Sequence, residues 1–209
     1  MRPGNHCDEL HHLFNDMHIY NPNEISQISF SNGIYIMFED GEYYNNSNIR
    51  RVVRVGTHKV TGRLMERLKN HFIRKNKDGS IFRKNIGKAI LNSDKDPYLK
   101  IWTSNTRPKQ YLINKQSTEN NVSEYLYKHI TFTAFPVDSR VDRLRFETAI
   151  IATLNKENAF VPRNNWFGKN STEEKIRKSG LWLKNGLNGK ILTTSEFQYL
   201  CNILRNQIY

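Results

Sequence analysis

The stretch Asn32–Phe72 constrains the fold most, because the spacing of its apolar residues changes character twice. From Gly33 to Asp40, Ile34, Ile36 and Phe38 alternate with Tyr35 and Met37, the period of two that marks a β-strand. Gly41 and the run Asn45–Asn48 then supply turn chemistry. Arg51–Thr57 is rich in β-branched valine and is predicted as the partner strand. After Thr61, a good N-cap residue, Leu64, Leu68 and Phe72 recur every fourth position, which predicts one buried face of a helix.

A second pattern runs through the polar residues of the same stretch. Arg63, Arg67 and His71 also recur every fourth position and line another stripe of that helix. Tyr35 leaves one strand, and Arg54 and His58 lie at or just beyond the end of the other. A hairpin packed on the helix would collect a phenol, guanidinium groups and imidazoles. That set suits phosphate chemistry: guanidinium grips phosphate oxygens in a bidentate fork, and phenol or imidazole handles a proton. The plainer reading is a basic, solvated helix face.

Gly33-Ile34-Tyr35, followed on the partner strand by Arg54-Val55-Gly56, resembles the signature of the GIY-YIG nucleases. Arg67 and His71, one turn apart, resemble the helix pair that several members carry. Arg54 stands where a tyrosine is commoner. The resemblance implies a small three-stranded antiparallel sheet flanked by helices. It also implies a metal-binding glutamate on a helix after the third strand and a supporting asparagine downstream.

Net charge is +12, and it is unevenly spread. Between Arg50 and Lys115 there are 18 Lys and Arg against 4 Asp and Glu, a local balance of +14, so the remainder carries −2. A basic third on a near-neutral frame points to a polyanion-binding face, and no apolar face accompanies it as a membrane-surface helix would require. At 209 residues the chain is expected to form a single domain. Within it, residues 1–31 form an N-terminal helical extension, 33–72 the motif core, 92–121 an irregular insertion and 171–209 a C-terminal helical extension. No run approaches a membrane span. Cys7 and Cys201 cannot make a zinc site by themselves or a disulfide framework, so a reducing, cytoplasmic setting is expected.

Cys7, His11 and their neighbours fit helical spacing, but Leu10, Leu13, Phe14 and Met17 make packing the better reading than a metal site. Ser80 caps an amphipathic helix over Ile81–Leu91 whose basic face, Arg83, Lys84 and Lys88, would hold DNA phosphates. In Asn92–Asn121, the residues Asn105, Arg107, Lys109 and Gln110 can read base edges or hold the backbone. A short helix is predicted over Val122–Ile130 and the third strand over Thr131–Val137. Asp138 or Ser139 then caps a helix whose apolar stripe is Val141, Leu144, Ile151 and Leu154. Trp166, Trp182, Leu183, Phe197, Leu200 and Leu204 are expected to close the core.

Glu147 falls inside the stripe of that helix. A carboxylate on an apolar face needs a partner, either Arg143 one turn back or a cation. One carboxylate suits Mg²⁺, a hard cation that keeps several waters. The resemblance implies the same: Glu147 holds one Mg²⁺ per site, which Mn²⁺ can replace. It also implies that Arg67 binds the scissile phosphate and Tyr35 takes a proton from the attacking water, with His71 and His58 as further proton carriers. A free phenol titrates near about 10, so Tyr35 needs cations such as Arg54 and Arg63 nearby. Asn165 is chosen as the supporting asparagine, with Asn164 and Asn170 as alternatives. The expected activity is Mg²⁺-dependent cleavage of double-stranded DNA by a restriction-type enzyme, acting as a homodimer or by sequential nicking. The alternatives are a repair or homing nuclease, or a non-catalytic nucleic-acid binder on the same fold.

Overall fold

The computed structural model describes residues 6–45, 47–104, 108–156 and 162–208. Three strands form its centre: β1 (Gly33–Tyr43), β2 (Arg50–Gly56) and β3 (Ile130–Pro136), antiparallel in the order β2-β1-β3. The helices are α1 (His6–Asp16), α2 (Leu64–Phe72), α3 (Ile81–Ser93), α4 (Leu99–Thr103), α5 (Leu112–His129), α6 (Arg140–Lys156), α7 (Glu174–Ser179) and α8 (Thr194–Arg205). This is the expected α+β class, a three-stranded antiparallel sheet flanked by helices. Among the described residues no helix is long and apolar enough to cross a membrane.

Both faces of β1 are buried, so each of its alternating sets seeds a separate core layer. Ile34, Ile36 and Phe38, with Val52 and Val55, pack under α1, α6 and α8. Tyr35 and Met37, with Val53, Phe132 and Ala134, pack under α2, α3 and α5 and against Trp166 and Trp182. The pleat therefore assigns Tyr35 to the α2 layer simply by its odd position in the strand. Its cross-strand partners are Gly56 and Ala134, both small. A Cβ on Gly56 would overlap the Tyr35 hydroxyl, so the glycine makes room for the phenol.

Four expectations change. Helix α2 starts at Leu64 and not after Thr61, because Gly62 turns the chain with φ of 76°. The Leu64 N–H there donates to the Ser31 carbonyl at 3.1 Å. On α6, Val141 is 74% exposed, while Ile151 and Leu154 are buried as expected, joined by Phe146, Ala149 and Ile150. The insertion 92–121 is largely helical, with α4 and the first half of α5. The buried face of α5 is Thr118, Glu119, Val122, Ser123 and Leu126, which repeats with helical period but is more than half polar. Apolar spacing could not reveal it.

The fourth change explains the third. Ser80 caps α3 as expected, accepting from the Arg83 N–H at 3.2 Å. The α3 face is not solvated, however. Arg83 is fully buried, and its Nε and Nη2 reach Glu119 Oε2 at 3.0 and 2.8 Å. Its remaining donors satisfy Ser123 Oγ and the carbonyls of Glu119 and His71. Lys88, 9% exposed, pairs with Glu173. Arg83 and Lys88 are thus internal ties to later segments and not a DNA-facing surface.

Removing one member of a buried pair strands the other's charge. Arg83→Met should lower stability by about 3–5 kcal/mol, and adding Glu119→Gln should recover much of that loss. Chemical denaturation of both variants checks this. A double variant no more stable than the single one would show that the cost is packing and not charge.

Candidate active site

A cleft of about 600 Å³ opens where the end of β2 meets α2 and α6. Arg54, Thr57, Arg67, Glu147 and Asn185 line it, with Arg63 at its exposed edge. Leu144 and the buried Ile151, neighbours of Glu147 on α6, line it too. Of the expected stripe, Ile151 and Leu154 are core, while Glu147 stands where Leu144 and Ile151 also reach the cleft, so its carboxylate faces that opening and not the interior.

Glu147 Oε1 accepts from the Thr57 N–H at 3.1 Å. Burial raises its pKa above the usual carboxylate range, against the opposing pull of that bond and of Arg54, Arg67 and Lys59. Arg143 is not its partner, since that guanidinium donates to the carbonyls of Val137 and Asp138 at 3.0 and 2.6 Å. Arg54 is almost fully buried, donates to the Trp182 carbonyl at 2.6 Å and lies over the Phe82 ring. Burial disfavours its charge, while Tyr35 and Glu147 favour it. Its Nε has no partner within the protein. Arg67, half-buried, is steadied by one hydrogen bond from Nη1 to the Gly79 carbonyl at 3.2 Å, which leaves other donors over.

Tyr35 lies one side-chain layer behind this wall. It is fully buried, Arg54 faces it, and its hydroxyl sits 2.7 Å from His71 Nε2. His71 Nδ1 lies 2.7 Å from Ser80 Oγ. The stripe Arg63, Arg67, His71 thus runs from solvent to core, since α2 enters the body at an angle. His71 is held neutral, its pKa well below the ordinary value, first by burial and then by Arg54, Arg67 and Arg83.

His58 also borders the cleft, but both its nitrogens are engaged. Nε2 accepts from the Gly33 N–H at 3.3 Å, and the Nδ1–H donates to the Val60 carbonyl at 2.6 Å. Burial lowers its pKa. It fastens the start of β1 to the end of β2, which leaves it no free nitrogen for proton transfer.

Asn165 is not brought to the cleft. It is exposed, beside Arg163, whose guanidinium lies over Tyr43 at the far end of β1. Asn164 is exposed as well, and the Asn170 carbonyl accepts from Asn92. The asparagines that line the cleft are Asn70, Asn85 and Asn185. Asn185 follows the buried Trp182 in an irregular turn, where no periodicity could mark it. Lys184 and Thr57 were missed for the same reason. Lys84 is half-buried, with its pKa lowered by burial and by Lys77 and Lys88, and it does not line the cleft. Lys109 is exposed in a 3₁₀ turn, Lys109–Tyr111, away from it. Asn105 and Arg107 lie outside the described residues.

Among the described residues no group of three or more His, Cys, Asp or Glu could hold a metal ion. Glu147 therefore offers a single-carboxylate site. That donor set fits a hard divalent cation which keeps its waters and takes further oxygens from a phosphate.

A histidine kept neutral by the fold contributes stability that is complete above its unfolded pKa, near 6.5. The contribution is lost progressively as pH falls toward the lowered folded value. The melting temperature should therefore fall between pH 6.5 and 5, and His71→Gln should flatten that fall. Thermal melts across that range test it, and an unchanged slope in the variant would show that His71 is not one of the responsible groups.

Neither the curated proteins nor the solved structures contain a match to this chain. A family model described as GIY-YIG domain matches residues 5–201, nearly the whole chain, including the strand pair, the α2 residues and Glu147. The chain belongs to the GIY-YIG domain family.

Proposed function

We propose that this chain is a metal-dependent endonuclease that hydrolyses phosphodiesters of double-stranded DNA, of the restriction type. The family is one of nucleases, and the observation that carries the reading is local. Arg54, Arg67 and Glu147, distant in sequence, line one cleft with Tyr35 directly behind Arg54. Two guanidinium groups with unused donors beside a lone carboxylate fit a phosphodiester and a divalent cation together.

The residues divide the work as follows. Arg67 and Arg54 hold the scissile phosphate and offset the charge that grows on its oxygens. Glu147, fixed by the Thr57 N–H, would hold Mg²⁺, or Mn²⁺ in its place, and the bound cation would neutralise the leaving oxygen. Behind Arg54, Tyr35 and His71 form a phenol–imidazole pair that would take up the proton of the attacking water once the bound substrate admits that water to the phenol, Tyr35 passing its own proton to His71 Nε2. In that tautomer the His71 Nδ1–H donates to Ser80 Oγ. Arg54 and Arg67 are among the charges that keep His71 neutral in the free protein. A phosphate bound to them screens that repulsion, so substrate raises the proton affinity of the imidazole when it is needed. Support for the cleft would come from an asparagine that lines it, Asn70, Asn85 or Asn185, and not from Asn165. One cleft per chain calls for a homodimer or two successive nicks to sever a duplex.

Incubation with supercoiled plasmid, with Mg²⁺ and with EDTA, tests the activity. Glu147→Gln should lose cleavage by about a hundredfold or more yet keep DNA affinity. It should melt no lower than wild type at pH 7, because it removes a carboxylate whose burial opposes its charge. Arg67→Ala should lose cleavage and affinity together. Tyr35→Phe should slow only the chemical step. Full cleavage by folded Glu147→Gln would end the assignment.

A further inference from the structure

A second groove of about 700 Å³ adjoins the cleft. Lys184, Asn185 and Gly186 line both, so the two form one continuous depression along the surface. Beyond the shared residues, Lys175 and Lys178 on α7 form one bank and the turn Leu187–Gly189 the other. The turn is already in place: Trp182 and Leu187 are buried, Asn155 donates to the Leu187 carbonyl at 3.0 Å, and Gly186 holds a left-handed φ of 83°. The groove's ionisable lining is three lysines and one glutamate, Glu174.

Resting on the nuclease reading, we propose that this groove binds the DNA backbone flanking the scissile position. It would take the phosphates that leave the cleft past Lys184. Charge complementarity and continuity with the cleft argue for that occupant. The ion pairs present do not oppose it. Lys178 pairs with Glu174 in a geometry where both side chains are well exposed, and such pairs exchange at little cost. Lys184 shares Glu173 with Lys88, so that cluster keeps a surplus positive charge. The lysines are a feature of the far end of the chain, outside the basic third that the composition marks. Part of that third is turned inward, with Arg51 on Glu42, Arg83 on Glu119 and Lys88 on Glu173. The positive charge of this groove is drawn from residues 175–184.

The double variant Lys175→Gln/Lys178→Gln tests this against Lys100→Gln/Lys128→Gln, which loses the same charge at exposed lysines that line neither groove. Affinity for a long duplex is measured by fluorescence anisotropy across a salt series in EDTA, and cleavage at saturating protein in Mg²⁺. The groove variant should bind roughly tenfold more weakly, with a log–log salt slope lower by about 1–2, and should cleave at the wild-type rate once saturated. A duplex too short to reach the groove should bind both variants and wild type alike. If the groove variant keeps wild-type affinity and slope, or if the control pair loses as much, the flank assignment falls. Cleavage that still depends on Glu147 would leave the nuclease reading standing. A wild-type protein that neither binds nor cuts duplex would overturn both.

Discussion

The Glu39 carboxylate, buried in the central strand, is the point on which the rest of the structure depends. One of its oxygens accepts from the indole N–H groups of Trp166 and Trp182 at 3.0 and 2.7 Å, and the other from the Tyr125 hydroxyl. Burial pushes its pKa up even with these three donors. A buried carboxylate of this kind is weak as a source of stability but strict about geometry, since each donor is needed and none can be moved. Through it β1 holds α5 and two segments of the last third of the chain. Trp182 extends the tie further, because its N–H donates to the Val53 carbonyl at 2.7 Å and its carbonyl accepts from Arg54. One carboxylate thereby sets both the segment that leads into Lys184 and Asn185 and the position of a cleft arginine.

The fate of the basic residues follows from the same economy. A local balance of +14 reads as a charged surface only if the charges reach solvent. Here acids from other parts of the chain, Glu119 and Glu173, come in to meet Arg83 and Lys88. Positive charge stays exposed at Arg63 on the cleft edge, at Lys175 and Lys178 on α7, and away from both grooves at Arg50, Arg74, Lys75 and Lys95. Sequence position and surface position are different variables, and only long-range pairing relates them.

That distinction marks what could be read beforehand. The sheet was legible because both faces of β1 alternate cleanly, and α2 because Leu64, Leu68 and Phe72 hold one register. Tyr35, Arg67 and Glu147 could be singled out because each sits on such a regular element. The long α5 was not legible, since Thr118, Glu119 and Ser123 occupy what would otherwise be apolar positions. Asn185 was not, because a turn has no period and its position comes from Trp182. Asn165 was the choice for the asparagine that the resemblance implies downstream of Glu147, but its neighbour Trp166 is buried with its indole on Glu39, and the asparagine is left exposed.

The Arg54–Trp182 hydrogen bond joins residues 128 positions apart. A ribosome adding about 5–20 residues per second needs several seconds to some tens of seconds to cover that interval. Throughout it the strand residues Tyr35 and Arg54 have been made but the Lys184–Gly186 wall has not. A nascent chain therefore carries Arg54 and Arg67 before the segment that walls their cleft has been made. The order of synthesis thus separates the two halves of the cleft in time, its arginines preceding the wall that Trp182 positions.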